Sequence, residues 1–359
     1  MTSPGHGIGI LGIGAYLPPE VRRNDWWSPE LVKQWMDARP QPLPASTFEG
    51  LGPGAHRVMD ALKLQARDPF QGAVERRVLS PSMTVFDMEE YAARAALERS
   101  GVATDAIDLV LTSTIVPEVQ LSNAACTLHA RLGLRKSCFA LHTDIATHAF
   151  LMQLTLAEAM IRAGRASHAL LVQSCACSRI VDHSDVISPY FGDGATAVVV
   201  GPVAPDRGIL AMSQFTDGRF PQTLVLGIPG RTWYDEGRAV LYIADAAATQ
   251  RVFLETADAC RESVDAVLMA SHTKPEQVDF FGMHQGAAWL RGVVQAHLGL
   301  AAARSIDTFP ETAYLFASTI PMNLAAASER GLLGAGDRVL LVGGGPGMTY
   351  GATLMRWGR

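Results

Sequence analysis

The sequence has no long run of Lys and Arg, no apolar stretch near the ~20 residues that cross a bilayer, and no two cysteine pairs at zinc-site spacing. With a net charge of -5, these absences argue against nucleic acid, an anionic membrane surface or a structural metal as partner. Apolar runs such as Val198–Val200 and Val339–Val342 stop after a few residues, so no membrane span is expected. The opening MTSPGHGIGILGIG is broken by glycine and has no basic region, so no secretory signal is expected. Cysteines 126, 138, 175, 177 and 260 give an odd count, which suits reduced thiols in a cytoplasm. Cys175 and Cys177 form only a C-x-C pair, with His183 nearby, and are read as small packed residues rather than metal ligands.

What is present is globular: 359 residues, 48% hydrophobic and 18% charged, enough for two units or one large one. A weak repeat organises them. DAIDLVL at Asp105–Leu111 and VDFFGM at Val278–Met283 each follow a helix-like segment, and Asp108 and Asp279 lie 171 residues apart (279 − 108). SHALLVQS with Val172 and GDRVLLVGG with Val342 repeat at 170 (342 − 172). Alternating helix and buried strand in each half predicts an α/β fold with helices covering mostly parallel sheet. Residues 148–163 read as a buried helix stopped by Gly164. The Pro- and Gly-rich stretch 40–54 reads as a loop. The expected division is 1–203 and 204–359, with an insertion at about 40–72.

Five segments, in order, resemble the β-ketoacyl-acyl-carrier-protein synthase III family: GIGILGIGAYLPPEVRRN, ERRVLSPSMTVFDMEEYAARAALERSGV, the FGDGA signature at Phe191–Ala195, the HQ signature at His284–Gln285, and the closing GGGPGMTYGATLMRW. Together they span nearly the whole chain except about 40–72. The resemblance implies a thiolase fold, two duplicated βα halves in a five-layered α-β-α-β-α arrangement, acting as a homodimer or paired with a related subunit. It also implies a site between the halves, with a cysteine at the start of a buried helix and a His and an Asn from the second half.

Carried onto this sequence, the resemblance puts His284 at the family's histidine, able to act near neutral pH as base or as neutral donor. Aligning TDIATHAF puts Thr147 where the family has cysteine, with His148 beside it; threonine supplies no thiolate. The family's asparagine falls on Tyr314, whose hydroxyl can donate a hydrogen bond or whose ring can simply pack. The main-chain N–H groups of Thr147 and Gly344 are the expected oxyanion donors, such donors lowering barriers by about 3–4 kcal/mol. Trp35 and Arg39 match the pair that holds coenzyme A; a packed Trp and a solvated Arg are the alternative. Leu121 matches the residue that caps the partner's acyl pocket, and Phe191 is expected in the pocket wall. Ala287 and Trp289 replace the family's Asn and Arg, so pantetheine and carrier contacts must differ.

The expected activity is therefore transfer of an acyl group from a coenzyme A or acyl-carrier-protein (phosphopantetheine) thioester, in polyketide- or fatty-acid-related specialised metabolism. No permanently bound cofactor is expected. A catalytically silent ketosynthase-like partner subunit and a condensing enzyme without an acyl-enzyme are the competing readings.

Overall fold

The computed structural model describes residues 6–38, 49–345 and 347–359. Strand β1 (Gly7–Tyr16) leads into β2 (Glu20–Arg23), helix α1 (Pro29–Asp37), helix α2 (Pro53–Gln65) and β3 (Glu75–Val78), which pairs back on β2. Then come α3 (Val85–Ser100), β4 (Leu109–Thr114), α4 (Ala125–Leu132), β5 (Phe139–His142), α5 (Ala149–Arg162), β6 (Ala169–Ala176) and β7 (Asp193–Val203). The rest of the chain runs β8 (Gly208–Thr216), β9 (Leu224–Gly227), β10 (Val240–Ile243), α6 (Ala246–Ala270), β11 (Phe280–Met283), α7 (Leu290–His297), α8 (Phe309–Thr312), α9 (Thr319–Glu329), β12 (Arg338–Gly345) and β13 (Thr349–Arg356).

The repeat is a structural one. One sheet has the order β1-β7-β6-β4-β5 and the other β8-β13-β12-β11, the same sequence of equivalent strands. Asp108 and Asp279 occupy equivalent places: each backbone N–H donates to a carbonyl at the start of the central strand, His168 O at 3.0 Å and Arg338 O at 2.9 Å. Each carboxylate accepts a main-chain N–H there, from Ser167 at 2.7 Å and Arg338 at 2.8 Å. Even β5 has a vestige in the second half, a parallel bridge between Phe280 and Arg304.

Side-chain alternation along the central strands sorts the layers. Ala169 and Leu171 of β6, with Val339 and Leu341 of β12, face a middle layer made by α5 and α9. Leu170 and Val172 face α3 and α4, and Leu340 and Val342 face α2, α6 and α7. This is the five-layered arrangement implied by the resemblance. The mostly parallel sheets expected from helix–strand alternation are instead mixed. β4 pairs parallel with β5 and β6, and β11 with β12, but the β6–β7, β1–β7, β12–β13 and β13–β8 pairs are antiparallel. The hairpin between β12 and β13 carries no crossover helix, so no alternation signals it.

α5 matches the expected buried helix: Phe150, Leu151, Leu154, Ala157 and Ile161 are fully buried, and Gly164 follows at φ +67. Of the stretch 40–54 read as loop, residues 40–48 lie outside the described residues, and the rest of the 40–72 insertion carries a helix. Pro53 starts α2, whose Ala55, Val58 and Met59 lie buried against Leu254 and Ala257 of α6. The i, i+3, i+4 spacing of those apolar residues was a helix signal, masked by the Pro and Gly before it.

Candidate active site

Two matching turns open the central helices. Residues 146–148 form a 3-10 turn before α5 with Ala146 at φ +42, and residues 316–318 its counterpart before α9 with Phe316 at φ +48. The two positions lie 170 apart (316 − 146), the same offset as in the strands. Thr147 thus sits in a first turn, whose N–H groups have no intrahelical acceptor.

The Thr147 side chain is only 1% exposed, and its hydroxyl is hydrogen-bonded to the phenol of Tyr314. Tyr314 is brought there by the second half. Its N–H donates to Tyr190 O (2.8 Å), and Gly192 N–H donates to Tyr314 O (3.2 Å). Gly192 has to be glycine, because an added Cβ would lie 2.2 Å from Thr312 O. Asp193, fully buried beside it, clamps two loops by accepting from Leu79 N–H (2.7 Å), Ser178 N–H (2.9 Å) and Ser178 Oγ–H (2.5 Å). The FGDGA segment is therefore a frame for Tyr314, with Phe191 packed beside it and stacked on Phe316 at 5.6 Å.

Ala313, just before Tyr314, has φ +53 and ψ -159 and is 1% exposed. That region is open to glycine and costs other residues about 1–3 kcal/mol. Ala313→Gly should raise the unfolding free energy by about 1 kcal/mol once glycine's greater unfolded-state entropy is subtracted. Denaturant unfolding measures this; a lower midpoint would show that the turn carries no strain.

His284 projects from the end of β11, its N–H donating to Val342 O (3.2 Å). Its Nδ1 accepts the N–H of Gly344 at 3.2 Å, so the neutral ring carries its proton on Nε2. Burial first, then the neighbouring His148, holds its pKa at about 4. His284 is thus a neutral Nε2–H donor at pH 7, and neither nitrogen is left as a base. Tyr314 is also neutral, its pKa pushed well up by burial, with the Thr147 hydroxyl opposing. Gln285 has a supporting part: its Nε2 donates to Ile306 O (3.0 Å), and its Oε1 accepts from Thr308 N (3.0 Å) and Phe309 N (3.2 Å). It fixes the segment that leads to Tyr314.

A cavity of about 240 Å³ ends on His284, Tyr314, Gly344 and Gly345. Its wall is Phe191, Ile187, Leu224, Ile243, Leu290 and one face of α6. A more polar bay, edged by Gly50 and Gly52 of the insertion, adjoins it and shares Ala259, Met348 and Tyr350.

The structure brings His284, Tyr314 and Phe191 to this cavity but corrects other expectations. Gly344 does not present its N–H to an oxyanion, because His284 takes it; the glycine against the Thr147 and His148 main chain is Gly345, whose added Cβ would lie 3.4 Å from both nitrogens. His148 does not reach the cavity. Its Nε2 is bonded to Gln214 Oε1, burial lowers its pKa, and Gln214 in turn donates to Thr155 Oγ1 (2.9 Å). Trp35 is 6% exposed, packs near Trp27 and donates to Ser184 O (2.8 Å), so it offers no open ring to an adenine. Arg39 lies outside the described residues. Leu121 is fully exposed at φ +74 and lines no part of its own chain's cavity. Cys175 and Cys177 are buried behind Tyr314, packed as small apolar residues. Among the described residues no three His, Cys, Asp or Glu side chains gather as metal ligands, and no helix is long and apolar enough to cross a membrane.

Sequence reasoning missed the α6 wall. Thr249, Val252, Phe253, Thr256, Ala259 and Cys260 all face the cavity, and their spacing of three and four is one helical face.

Residues 143–218 match the family 3-Oxoacyl-[acyl-carrier-protein (ACP)] synthase III, and residues 268–357 match its C-terminal counterpart. The β-ketoacyl-[acyl-carrier-protein] synthase III of Bacillus pumilus is 32% identical over 354 residues, covering 98% of this chain and 99% of the relative. Two solved structures share the fold. The 3-oxoacyl-(acyl carrier protein) synthase III of Pseudomonas aeruginosa has a TM-score of 0.78 at 24% identity, covering 98% of this chain and 99% of that one. A priming β-ketosynthase from a polyketide biosynthetic pathway has a TM-score of 0.77 at 23% identity, covering 99% and 98%. With about a third of its positions identical along almost its whole length, the chain belongs to the β-ketoacyl-[acyl-carrier-protein] synthase III family.

Proposed function

We propose that this chain transfers an acyl group from a coenzyme A or acyl-carrier-protein thioester directly to an acceptor, without an acyl-threonine intermediate. The observation that carries the reading is a cavity ending on the neutral side chains of His284 and Tyr314, with the Thr147 hydroxyl hydrogen-bonded to the phenol behind them. Thr147 stands where the family has its cysteine, and its hydroxyl faces no base. The acceptor's lone pair adds to the thioester carbonyl carbon, the carbonyl oxygen takes up charge facing His284 and Tyr314, and the C–S bond then breaks. The acceptor's proton ends on the departing thiolate. Donors already oriented in a dry site contribute more to such reactions than any other single effect. Gly345, packed against the Thr147 main chain, closes the same end of the cavity.

In this reading the halves 1–203 and 204–359 both serve the site, Thr147 coming from the first and His284, Tyr314 and Gly345 from the second. The chain works in the cytoplasm, as a homodimer or beside a ketosynthase homologue. Exposed Phe139 and Leu141 on edge strand β5 support such pairing. Likeness to a priming β-ketosynthase supports a place in polyketide-related metabolism.

A second reading, a silent partner subunit, draws on a different fact: among the described residues no carboxylate or basic imidazole lines the cavity. Free-thiol release from a panel of acyl-coenzyme A and acyl-carrier-protein thioesters, with hydroxyl and amine acceptors, separates the two. Release by this chain alone, with no acyl mass left on the intact protein, is the expected result. A protein-bound acyl mass would end the direct-transfer reading; release only after a cysteine-bearing homologue is added would establish the partner subunit.

A further inference from the structure

The polar bay is walled, among the described residues, by four acidic and two basic side chains. Arg219 bridges Asp217 (2.5 Å) and Glu255 (2.9 Å), and Arg251 is paired with Glu255 as well. Asp258 is occupied from behind, accepting the N–H of Gly54 at 3.1 Å and facing His297 Nε2 at 3.0 Å. Glu262 is different. Its partner among the described residues is the neutral phenol of Tyr350, which donates to Oε2 at 2.7 Å. The bay therefore carries an excess of negative charge, and Glu262 is the carboxylate with no cation beside it.

Tyr350 spans the distance from that carboxylate to the deep end of the cavity. It stands opposite Gly344 in the β12–β13 ladder, and a Cβ added at Gly344 would lie 3.4 Å from the Tyr350 Cβ and 4.0 Å from His284 Cε1. The ring, stacked on Phe215 at 5.5 Å, then runs out to Glu262. With Ala259 and Met348, Tyr350 lines both spaces. A molecule lying along it can meet His284 and Tyr314 with one end and Glu262 with the other. The two ends ask for different chemistry: the deep one is neutral and buried, where an unpaired charge is costly, and the outer one presents a carboxylate without a cation.

We infer that the bay is the subsite of the acceptor, and that this acceptor is an aliphatic alcohol or amine with an ammonium group at its far end, the nucleophile at His284 and Tyr314 and the cation at Glu262. The inference rests on the acyl-transfer reading of the same site. A bond from the nucleophile to the carbonyl carbon replaces the C–S bond, and the proton that the nucleophile gives up leaves on the thiol, so the distant ammonium binds without reacting. The probes are ω-aminopentanol, α,ω-pentanediol and ω-hydroxyhexanoate, which share a hydroxyl at one end and carry an ammonium, a hydroxyl and a carboxylate at the other. Each is titrated into the whole protein by calorimetry and then offered as acceptor in the thiol-release assay.

Aminopentanol should bind about tenfold more tightly than pentanediol, the low end for a charge-assisted hydrogen bond because Glu262 is exposed, and hydroxyhexanoate should bind more weakly than either. Glu262→Gln, which keeps an acceptor for Tyr350, should remove the aminopentanol advantage. Ala259→Phe, which fills the passage between the two spaces, should weaken aminopentanol by a similar factor. Glu276→Gln, on the surface turn Pro275–Gln277, should leave its Kd unchanged. Equal affinity for the three probes, or an aminopentanol advantage that survives Glu262→Gln, would overturn the inference, as would an equal loss in Glu276→Gln. Glu262-dependent binding of aminopentanol with no thiol release to any acceptor would sustain the subsite and remove the transferase reading. Thiol release as fast with pentanediol as with aminopentanol at low acceptor concentration would keep the transferase and overturn the subsite.

Discussion

His284→Ala should lower kcat/KM for thioester consumption by roughly 10²–10³-fold, the usual cost of losing one oxyanion donor. The side chain is a neutral donor fixed by Gly344 N–H on its other nitrogen, so its loss removes stabilisation that matters most as the carbonyl oxygen gains charge. kcat should fall with KM little changed. His284→Asn, which keeps an N–H donor, should recover part of the loss. Because burial and His148 hold the ring's pKa at about 4, activity should show no histidine limb between pH 6 and 8. A rate rising through pH 6–7 in wild type and flat in His284→Asn would instead make His284 a base.

The second large effect lies away from the cavity, at Glu89 of α3. Its carboxyl is fully buried, accepts from Ser174 Oγ–H at 2.6 Å through one oxygen, and has no partner for the other. Burial raises its pKa from the ordinary 4.5 to about 7, against the Ser174 bond and the charge of Arg131. Below pH 4.5 both folded and unfolded chains hold this proton. From 4.5 to about 7 only the folded chain does, so its contribution to stability falls as pH rises and levels off above 7. At about 1.4 kcal/mol per pH unit this amounts to about 3 kcal/mol. His284 runs the other way, its depressed pKa weakening the fold as pH drops from 6.5 towards 4. The two nearly cancel in the wild type. The expected signature is therefore a difference: Glu89→Gln, which keeps an acceptor for Ser174, should gain about 3 kcal/mol over wild type between pH 4.5 and 7.5. Denaturant unfolding at several pH values measures it, and a constant difference would mean that Glu89 does not titrate in that window.

Much of the architecture was legible because duplication writes each signal twice. Asp108 and Asp279 mark the same strand entry, and the 170-residue offset reappears at Ala146 and Phe316, where nothing in residue type announces a left-handed turn. Sheet direction was not legible, since the antiparallel partners β7 and β13 arrive without crossover helices. At the site, His284 and Tyr314 could be placed because each follows or precedes a recognisable segment. Two facts could not be read. Gly343, Gly344 and Gly345 are chemically identical, and only geometry tells which N–H is already taken by His284. Whether Trp35 lies open or packed depends on Trp27 and Ser184, the latter 149 residues away in sequence. The α6 wall was written in the sequence as a helical face, but its mix of Thr, Val, Phe and Cys resembles an ordinary core-facing stripe.

The central claim is that the Thr147 side chain forms no covalent intermediate. The direct test is kcat/KM for thiol release in Thr147→Ala against wild type, with the same thioester and acceptor. Removing the hydroxyl leaves the main-chain N–H in place and costs Tyr314 one hydrogen-bond partner, so activity within about tenfold of wild type is expected. A loss of about 10⁴-fold or more, the scale on which a true nucleophile is missed, would contradict the account and make Thr147 the acyl carrier.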